Sequence, residues 1–113
     1  MIKVEIQRNV VHYCAVKITG HAYSDEPGRD LVCAAVSTLA QTLANAIEEV
    51  GGIPEKSLDL KISSGHFQLR LKNDDLSDVI DIIFGTFRVG IEAIERTYKE
   101  YIKLKIKEVQ GTC

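Results

Sequence analysis

Two kinds of hydrophobic pattern follow one another along this chain, and their order constrains the fold more than any other feature. Apolar residues alternate with polar ones over residues 2–7 and again over residues 10–20, which predicts two strands. Val10 and Cys14 are expected on the same buried face of the second strand. Over residues 30–50 the apolar residues instead recur at helical spacing, which predicts a long amphipathic helix.

The same succession of patterns then occurs a second time. Alternation predicts strands around residues 58–62 and 67–71, helical spacing predicts a second helix over residues 76–94, and alternation over residues 102–106 predicts a fifth strand. The order is therefore ββαββαβ. Because each strand pair and each helix has an apolar face to bury, we expect one mixed sheet packed against two helices. The sequence thus predicts an α+β fold with a single domain spanning residues 1–113.

Small residues and side-chain acceptors indicate where the helices begin and end. Gly51-Gly52 is expected to stop the first helix. Gly85 and Gly90 lower the helix propensity of the second helix, so each is expected to mark close packing. The second helix is expected to be capped by one of three acceptors, Asn73, Asp74 or Asp75.

The composition is that of an ordinary globular domain. Of the 113 residues, 45% are hydrophobic and 27% charged. The formal net charge of -2 argues against a broad basic surface and so against direct nucleic-acid binding as the main function. A local basic stripe near the C-terminus is interpreted as a solvated strand face; it comprises Lys99, Lys103, Lys105 and Lys107.

The cysteines and the first residues bear on location. Residues 1–6 alternate instead of forming a continuous apolar run, so we expect no secretory signal, no membrane span and a cytoplasmic location. Cys14, Cys33 and Cys113 are an odd number without zinc-site spacing, so we expect reduced thiols and no metal.

Residues 20–37 contain the strongest candidate for a catalytic site. Gly20-His21-Ala22 ends the second strand, and Gly28-Arg29-Asp30-Leu31-Val32-Cys33-Ala34-Ala35-Val36-Ser37 follows after a polar loop. If Asp30 is the N-cap, Cys33 lies in the first helical turn, where the helix N-terminus stabilises a thiolate and free amides can hold an oxyanion. A histidine beside it can accept the thiol proton.

Each of these residues also has a purely structural interpretation. Cys33 can be a small apolar residue of an alanine-rich helix, and His21 can make a local hydrogen bond in a loop. Asp30 is either a helix cap or a third catalytic member that orients His21. Ser37 lies one turn after Cys33 and either lines the site or is solvated. The loop of residues 22–29 is either a lid or an ordinary exposed connection.

The motif of residues 20–37 resembles that of the bacterial ribosomal-processing cysteine protease family Prp, because its glycine, histidine, aspartate, cysteine and serine all fall in register. Leu31 stands where isoleucine is common in that family. The length and the ββαββαβ order are similar over essentially the whole chain. Members of the family remove a short N-terminal extension from a large-subunit ribosomal protein, so the resemblance implies that substrate.

The resemblance also implies roles for individual residues. Cys33 would be the nucleophile and His21 the general base, with Asp30, Ser37 and Gly20 as supporting residues. The substrate loop would include Ala22, Tyr23 and Gly28. The resemblance further implies a homodimer, no cofactor, and an apolar groove near Cys33 for the apolar and aromatic residues around the cut.

Two other function classes remain open at the level of sequence. In the first, the chain is a non-catalytic ribosome-assembly or binding module in which Cys33 is structural; such a protein would cleave no ribosomal extension. In the second, a thiol redox or acyl-transfer protein uses Cys33 alone; such a protein would modify Cys33 without needing His21.

Overall fold

The computed structural model describes residues 1–20 and 29–111, with the side chains of residues 29 and 30 outside the description. Within these ranges the order ββαββαβ is confirmed. Five strands and two helices form the fold: β1 (Ile2–Arg8), β2 (Tyr13–Thr19), α1 (Arg29–Glu49), β3 (Leu58–Ser63), β4 (His66–Leu71), α2 (Asp78–Tyr98) and β5 (Ile102–Glu108). Two single 3-10 turns, Glu55–Ser57 and Asn73–Asp75, precede β3 and α2.

The five strands form one mixed sheet, as predicted. Their order across the sheet is β3-β4-β2-β1-β5. β1 pairs with β5 in parallel, whereas the other three pairings are antiparallel. The hairpin that follows α1 therefore adds to the β2 side, and the strand that follows α2 adds to the β1 side. This order brings the β3–β4 turn next to the end of β2.

One face of the sheet and both helices share a single hydrophobic core. Strand residues such as Val4, Ile6 and Leu69 are 1% exposed or less, and Phe84 of α2 is fully buried. The buried residues of α1 recur at helical spacing, as the sequence predicts; they are Val32, Val36, Ala40, Leu43 and Ile47. The opposite face of the sheet carries the polar residues of the alternation.

The predicted start of the second strand is wrong by three residues. β2 begins at Tyr13 because Asn9 closes a turn: its Oδ1 accepts from the backbone N–H groups of Val11 (2.8 Å) and His12 (2.7 Å). Val10 lies in this turn and is 74% exposed instead of sharing a buried face with Cys14.

The predicted cap of the second helix is also wrong. Asn73, Asp74 and Asp75 form the 3-10 turn, and Ser77 caps α2 by accepting from the backbone N–H of Ile80 at 3.2 Å.

The two glycines of α2 differ in their surroundings. A side chain at Gly90 would meet the Leu39 Cδ atoms of α1 at 2.9 and 3.0 Å, which confirms close packing there. Gly85 has nothing within 4 Å of such a side chain, so the prediction of close packing is wrong at that position.

We expected no segment long and apolar enough to span a membrane, and by length and composition alone this expectation is wrong for α1. Residues Leu31–Glu49 have the length and the mean hydropathy, 1.3, of a candidate span. The core helix of a globular protein can have the same length and composition. α1 is interpreted in that way because its buried residues pack in one cluster with the sheet and α2.

Candidate active site

Gly20 ends β2 in a conformation that only glycine adopts easily. Its φ is +99°, and a Cβ added there would collide with the backbone carbonyl oxygen of Met1. The Gly20 N–H donates to the carbonyl of Gly65 at 3.1 Å. The backbone at Gly20 therefore lies close to Met1, and its hydrogen bond ties the end of β2 to the turn between β3 and β4.

Cys33 carries a half-buried thiol on α1 that is not part of a disulfide. It packs against the edge of the hydrophobic core, whereas the next residue, Ala34, is exposed. Because α1 is held to the sheet by its buried residues, the position of Cys33 is set by a rigid element. The thiol therefore sits at a boundary between core and surface.

A groove of about 200 Å³ runs past the thiol. Its floor and one wall come from the end of the sheet and from α1, with Gly20, Cys33 and Ser37 among the lining residues. Six of its lining residues are apolar: Ile2, Ile18, Val36, Ala40, Ile62 and Phe67. The expected apolar groove near Cys33 is present.

The structure brings together some of the predicted site residues. Gly20, Cys33 and Ser37 line one groove, so the end of β2 lies beside the early part of α1, as predicted. Ser37 is exposed and follows Cys33 by one helical turn. His21, Ala22, Tyr23 and Gly28 lie outside the described residues, and with them the expectation for the loop of residues 22–29.

The predicted cap position of Asp30 needs a correction. α1 begins at Arg29, so Asp30 is inside the helix and does not precede it. Cys33 is the fifth helical residue, just past the first turn, whereas the free amides belong to residues 29–32. The effect of the helix dipole falls off within that turn, so the helix end contributes less to a Cys33 thiolate than the sequence argument assumed.

The opposite wall of the groove was not foreseen from the sequence. It comes from the hairpin of β3 and β4 and includes Ser63, Gly65 and His66. The sequence shows the turn of this hairpin at Ser64-Gly65. It does not show that the hairpin lies beside Cys33, because that position depends on the pairing of β4 with β2, in which His66 is in register with Thr19. Strand order of that kind is not visible in one sequence.

The expectation of reduced cysteines is wrong for Cys14. Cys14 is disulfide-bonded and fully buried, and its partner lies outside the described residues. Cys33, by contrast, is not disulfide-bonded.

A group with metal-ligand composition lies outside the residues that line the groove. His12, Asp78 and Asp81 have ligand atoms within 4.8 Å of one another. Both Asp81 oxygens already have partners: Oδ2 contacts His12 Nδ1 at 2.7 Å and Oδ1 accepts from the Tyr13 N–H at 2.9 Å. Asp81 is therefore interpreted as a link between α2 and the start of β2.

Comparison with known proteins gives consistent matches over most of the chain. The sequence profile described as "Cysteine protease Prp" matches residues 1–103. A protein of Staphylococcus aureus named "Ribosomal processing cysteine protease Prp" is 34% identical over 93 residues, covering 81% of this chain and 85% of that protein. The protein of the same name from Bacillus subtilis is 30% identical over 91 residues, covering 78% of this chain and 80% of that protein.

Solved structures agree with the sequence matches. The crystal structure of the ribosomal processing protease Prp from S. aureus in complex with a substrate peptide superposes with a TM-score of 0.82. The sequence identity in that comparison is 31%, and the match covers 95% of this chain and all of the other. The similarity therefore includes the whole arrangement of sheet and helices that builds the groove.

Proposed function

The chain belongs to the cysteine protease Prp family, and from this premise we propose that it removes the short N-terminal extension of a bacterial large-subunit ribosomal protein. One observation carries the proposal: the Cys33 thiol, which is not disulfide-bonded, lines an apolar groove together with the end of β2 that leads into His21. The ribosomal role in the names of the relatives supports this choice of substrate.

The proposed reaction is acyl transfer through a thioester. His21 accepts the proton of Cys33, and the thiolate sulfur attacks the scissile carbonyl carbon. The tetrahedral oxyanion is held by free backbone N–H groups of residues 29–32 at the start of α1. His21 then donates its proton to the leaving amine as the C–N bond breaks. His21 next deprotonates a water molecule, whose oxygen attacks the thioester carbonyl carbon. The C–S bond then breaks, the new carboxylate is released, and His21 returns the proton to the Cys33 thiolate.

Supporting roles are proposed for two further residues. Asp30 orients His21 and stabilises the imidazolium. We choose this role over the helix cap because α1 begins at Arg29, before Asp30. Ser37 donates a hydrogen bond to the substrate backbone from its exposed position on the groove. Neither role requires a metal or cofactor.

The lining of the groove fits the expected substrate. Val36 and Ala40 of α1 face Ile62 and Phe67 of the hairpin across a space of about 200 Å³. A small apolar groove of this kind suits apolar side chains of an extended peptide. We therefore place the apolar residues next to the cut between α1 and the β3–β4 hairpin.

The test is cleavage of the precursor ribosomal protein, followed by intact mass. Cys33→Ala is expected to abolish cleavage. Thr38→Ala is the matched control, because Thr38 is exposed on the same helix and its hydroxyl bonds only the Ala34 carbonyl. Cleavage by Cys33→Ala at near the wild-type rate would refute the assignment of the nucleophile.

The choice of base is tested by comparing two histidines. His21→Gln is expected to lower kcat/KM by about a hundredfold or more, as loss of a general base does. His66→Gln, which changes a histidine on the opposite wall of the same groove, is expected to retain most of the activity. The reverse result would assign the base to His66.

We also propose that the protein works as a homodimer in the cytoplasm. Support for the dimer comes from an exposed apolar stripe on α2, where Val79 is 50%, Val89 57% and Ile82 69% exposed. Ile82→Glu is expected to give a monomer by sedimentation velocity, whereas Val10→Glu, on the 74%-exposed turn residue, leaves the dimer intact. A wild-type monomer at micromolar concentration would refute the dimer.

A further inference from the structure

The open face of the sheet concentrates positive charge. Strand alternation and register place seven of the chain's 14 basic residues on this face, but only two of its 16 acidic residues, Glu5 and Asp59. The basic residues are Lys3, Lys17, Lys61, Arg70, Lys103, Lys105 and Lys107. The face therefore has a formal net charge of +5 on a chain whose net charge is -2. The expectation of no broad basic surface is wrong for this face, because net charge does not show how the strands distribute the charges.

The cations of this face make no ion pairs within the described part of the chain. None of the seven is within ion-pair distance of a carboxylate among the residues that the structure describes. Lys3 lies directly opposite Lys103 in the parallel pairing of β1 and β5, and like charges in that position destabilise a sheet. The six lysines are exposed. Two carboxylates offset part of this repulsion, because Glu5 lies opposite Lys17 and Lys105, and Asp59 lies opposite Arg70. The face still keeps an excess of positive charge that a bound polyanion would neutralise.

The spacing of the charges matches an extended array of phosphates. Lys103, Lys105 and Lys107 alternate along β5, which sets them about 6.6 Å apart, and neighbouring strands lie about 4.8 Å apart. The charges extend from the β3 edge, at Lys61, to the β5 edge. Such a two-dimensional array contacts more than one phosphate backbone, whereas an acidic peptide would contact a single row.

The other residues of this face indicate which polyanion fits. The described strands place no phenylalanine or tyrosine on this face, and its aromatic ring is that of His66, at the rim beside the groove. The row of aromatic side chains on which successive unpaired bases stack is therefore missing from the middle of the face. The hydroxyl of Thr19 and the amide of Gln68 lie among the cations and can contact the 2′-hydroxyls and phosphates of RNA.

We propose that this open face binds the backbone of double-stranded RNA through the unpaired lysines. The inference does not depend on the proposed cleavage reaction, since no basic residue of the face lines the groove beside Cys33. Binding is expected to be independent of sequence and strongly dependent on salt, because each lysine–phosphate contact releases counterions.

The experiment measures fluorescence anisotropy of a labelled 20-base-pair RNA duplex between 50 and 200 mM NaCl. The wild-type protein is compared with Lys17→Gln/Lys105→Gln, which removes two exposed charges from the face. The matched control is Lys56→Gln/Lys99→Gln, which removes two exposed charges outside the strands and changes the net charge equally.

The face variant is expected to bind about tenfold more weakly at 50 mM NaCl, and the slope of log K against log salt should fall by about two. The control variant should bind as the wild type does. Absence of saturable binding, equal weakening by both variants, or tighter binding to a DNA duplex, polyglutamate or anionic lipid vesicles would overturn the proposal. Cleavage of the isolated precursor is expected to be unchanged in both variants, so the two proposals are tested separately.

Discussion

Replacing Gly20 by alanine tests how the end of β2 positions the groove. The substitution adds one methyl group at a residue whose φ is +99° and whose Cβ would collide with the Met1 carbonyl oxygen. The neighbours on that side are backbone atoms of Met1 and Ile2, which cannot rotate away as a flexible side chain can. The β2 terminus must therefore move, together with the hydrogen bond from the Gly20 N–H to the Gly65 carbonyl.

The expected loss of stability has two parts. A positive φ costs an alanine about 1–2 kcal/mol relative to glycine. Displacing the chain to relieve the collision loses the bond to Gly65, which adds about 1 kcal/mol. The free energy of unfolding should therefore fall by about 2–3 kcal/mol, a large fraction of the total for a domain of this size.

Gly52→Ala is the matched control for this substitution. Gly52 also has a positive φ, +72°, but nothing lies within 4 Å of an added Cβ. The free energy of unfolding of Gly52→Ala should fall only by the cost of the positive φ, about 1–2 kcal/mol. Urea unfolding followed by circular dichroism measures the stability of both variants. The rate of precursor cleavage measures whether the groove still functions.

The comparison isolates the effect of the close approach to Met1. Gly20→Ala should be less stable than Gly52→Ala by about 1 kcal/mol and should also have a lower kcat/KM, whereas Gly52→Ala should cleave normally. Equal stability of the two variants, or normal cleavage by Gly20→Ala, would show that the approach to Met1 does not hold the site.

Other substitutions and a labelling experiment test separate parts of the structure. Phe84→Ala removes a fully buried ring that stacks on Tyr13 at 5.9 Å between centroids, and it should cost about 3–5 kcal/mol in urea unfolding; a loss under 1 kcal/mol would contradict the core assignment. Asp81→Asn should cost about 1–2 kcal/mol because it weakens two hydrogen bonds, whereas Asp78→Asn should be nearly neutral, and equal losses would contradict the linking role of Asp81. Iodoacetamide should modify Cys33 first in the native protein, as peptide mass will show, and faster labelling of Cys14 would contradict its buried, disulfide-bonded state.

Local patterns were sufficient to predict the order of the strands and helices along the chain and to single out Cys33 as the candidate nucleophile. Alternation over residues 2–7 and the helical spacing of Val32, Val36 and Leu43 depend only on neighbours in the chain, because a strand repeats every two residues and a helix every 3.6. The motif around Cys33 is local in the same sense. These features depend on backbone periodicity, so one sequence is enough to recognise them.

Boundaries were less predictable because side chains compete for the same backbone groups. The side chain of Asn9 accepts hydrogen bonds from the N–H groups of Val11 and His12, so β2 begins after this turn, although Val10 continues the apolar alternation. Ser77 caps α2 although three earlier residues were chemically equal candidates. Only the folded arrangement shows which of several acceptors is used.

The sequence by itself determined the α+β class, the ββαββαβ order, and the pairing of a thiol on a helix with a strand end beside it. Tertiary structure alone decided that β4 lies beside β2, which makes the β3–β4 hairpin the second wall of the groove. It also decided that lysines from four strands and an arginine share one open face. The physical reason is that strand order and register are set by contacts between residues far apart in the chain, whereas periodicity is set by neighbours.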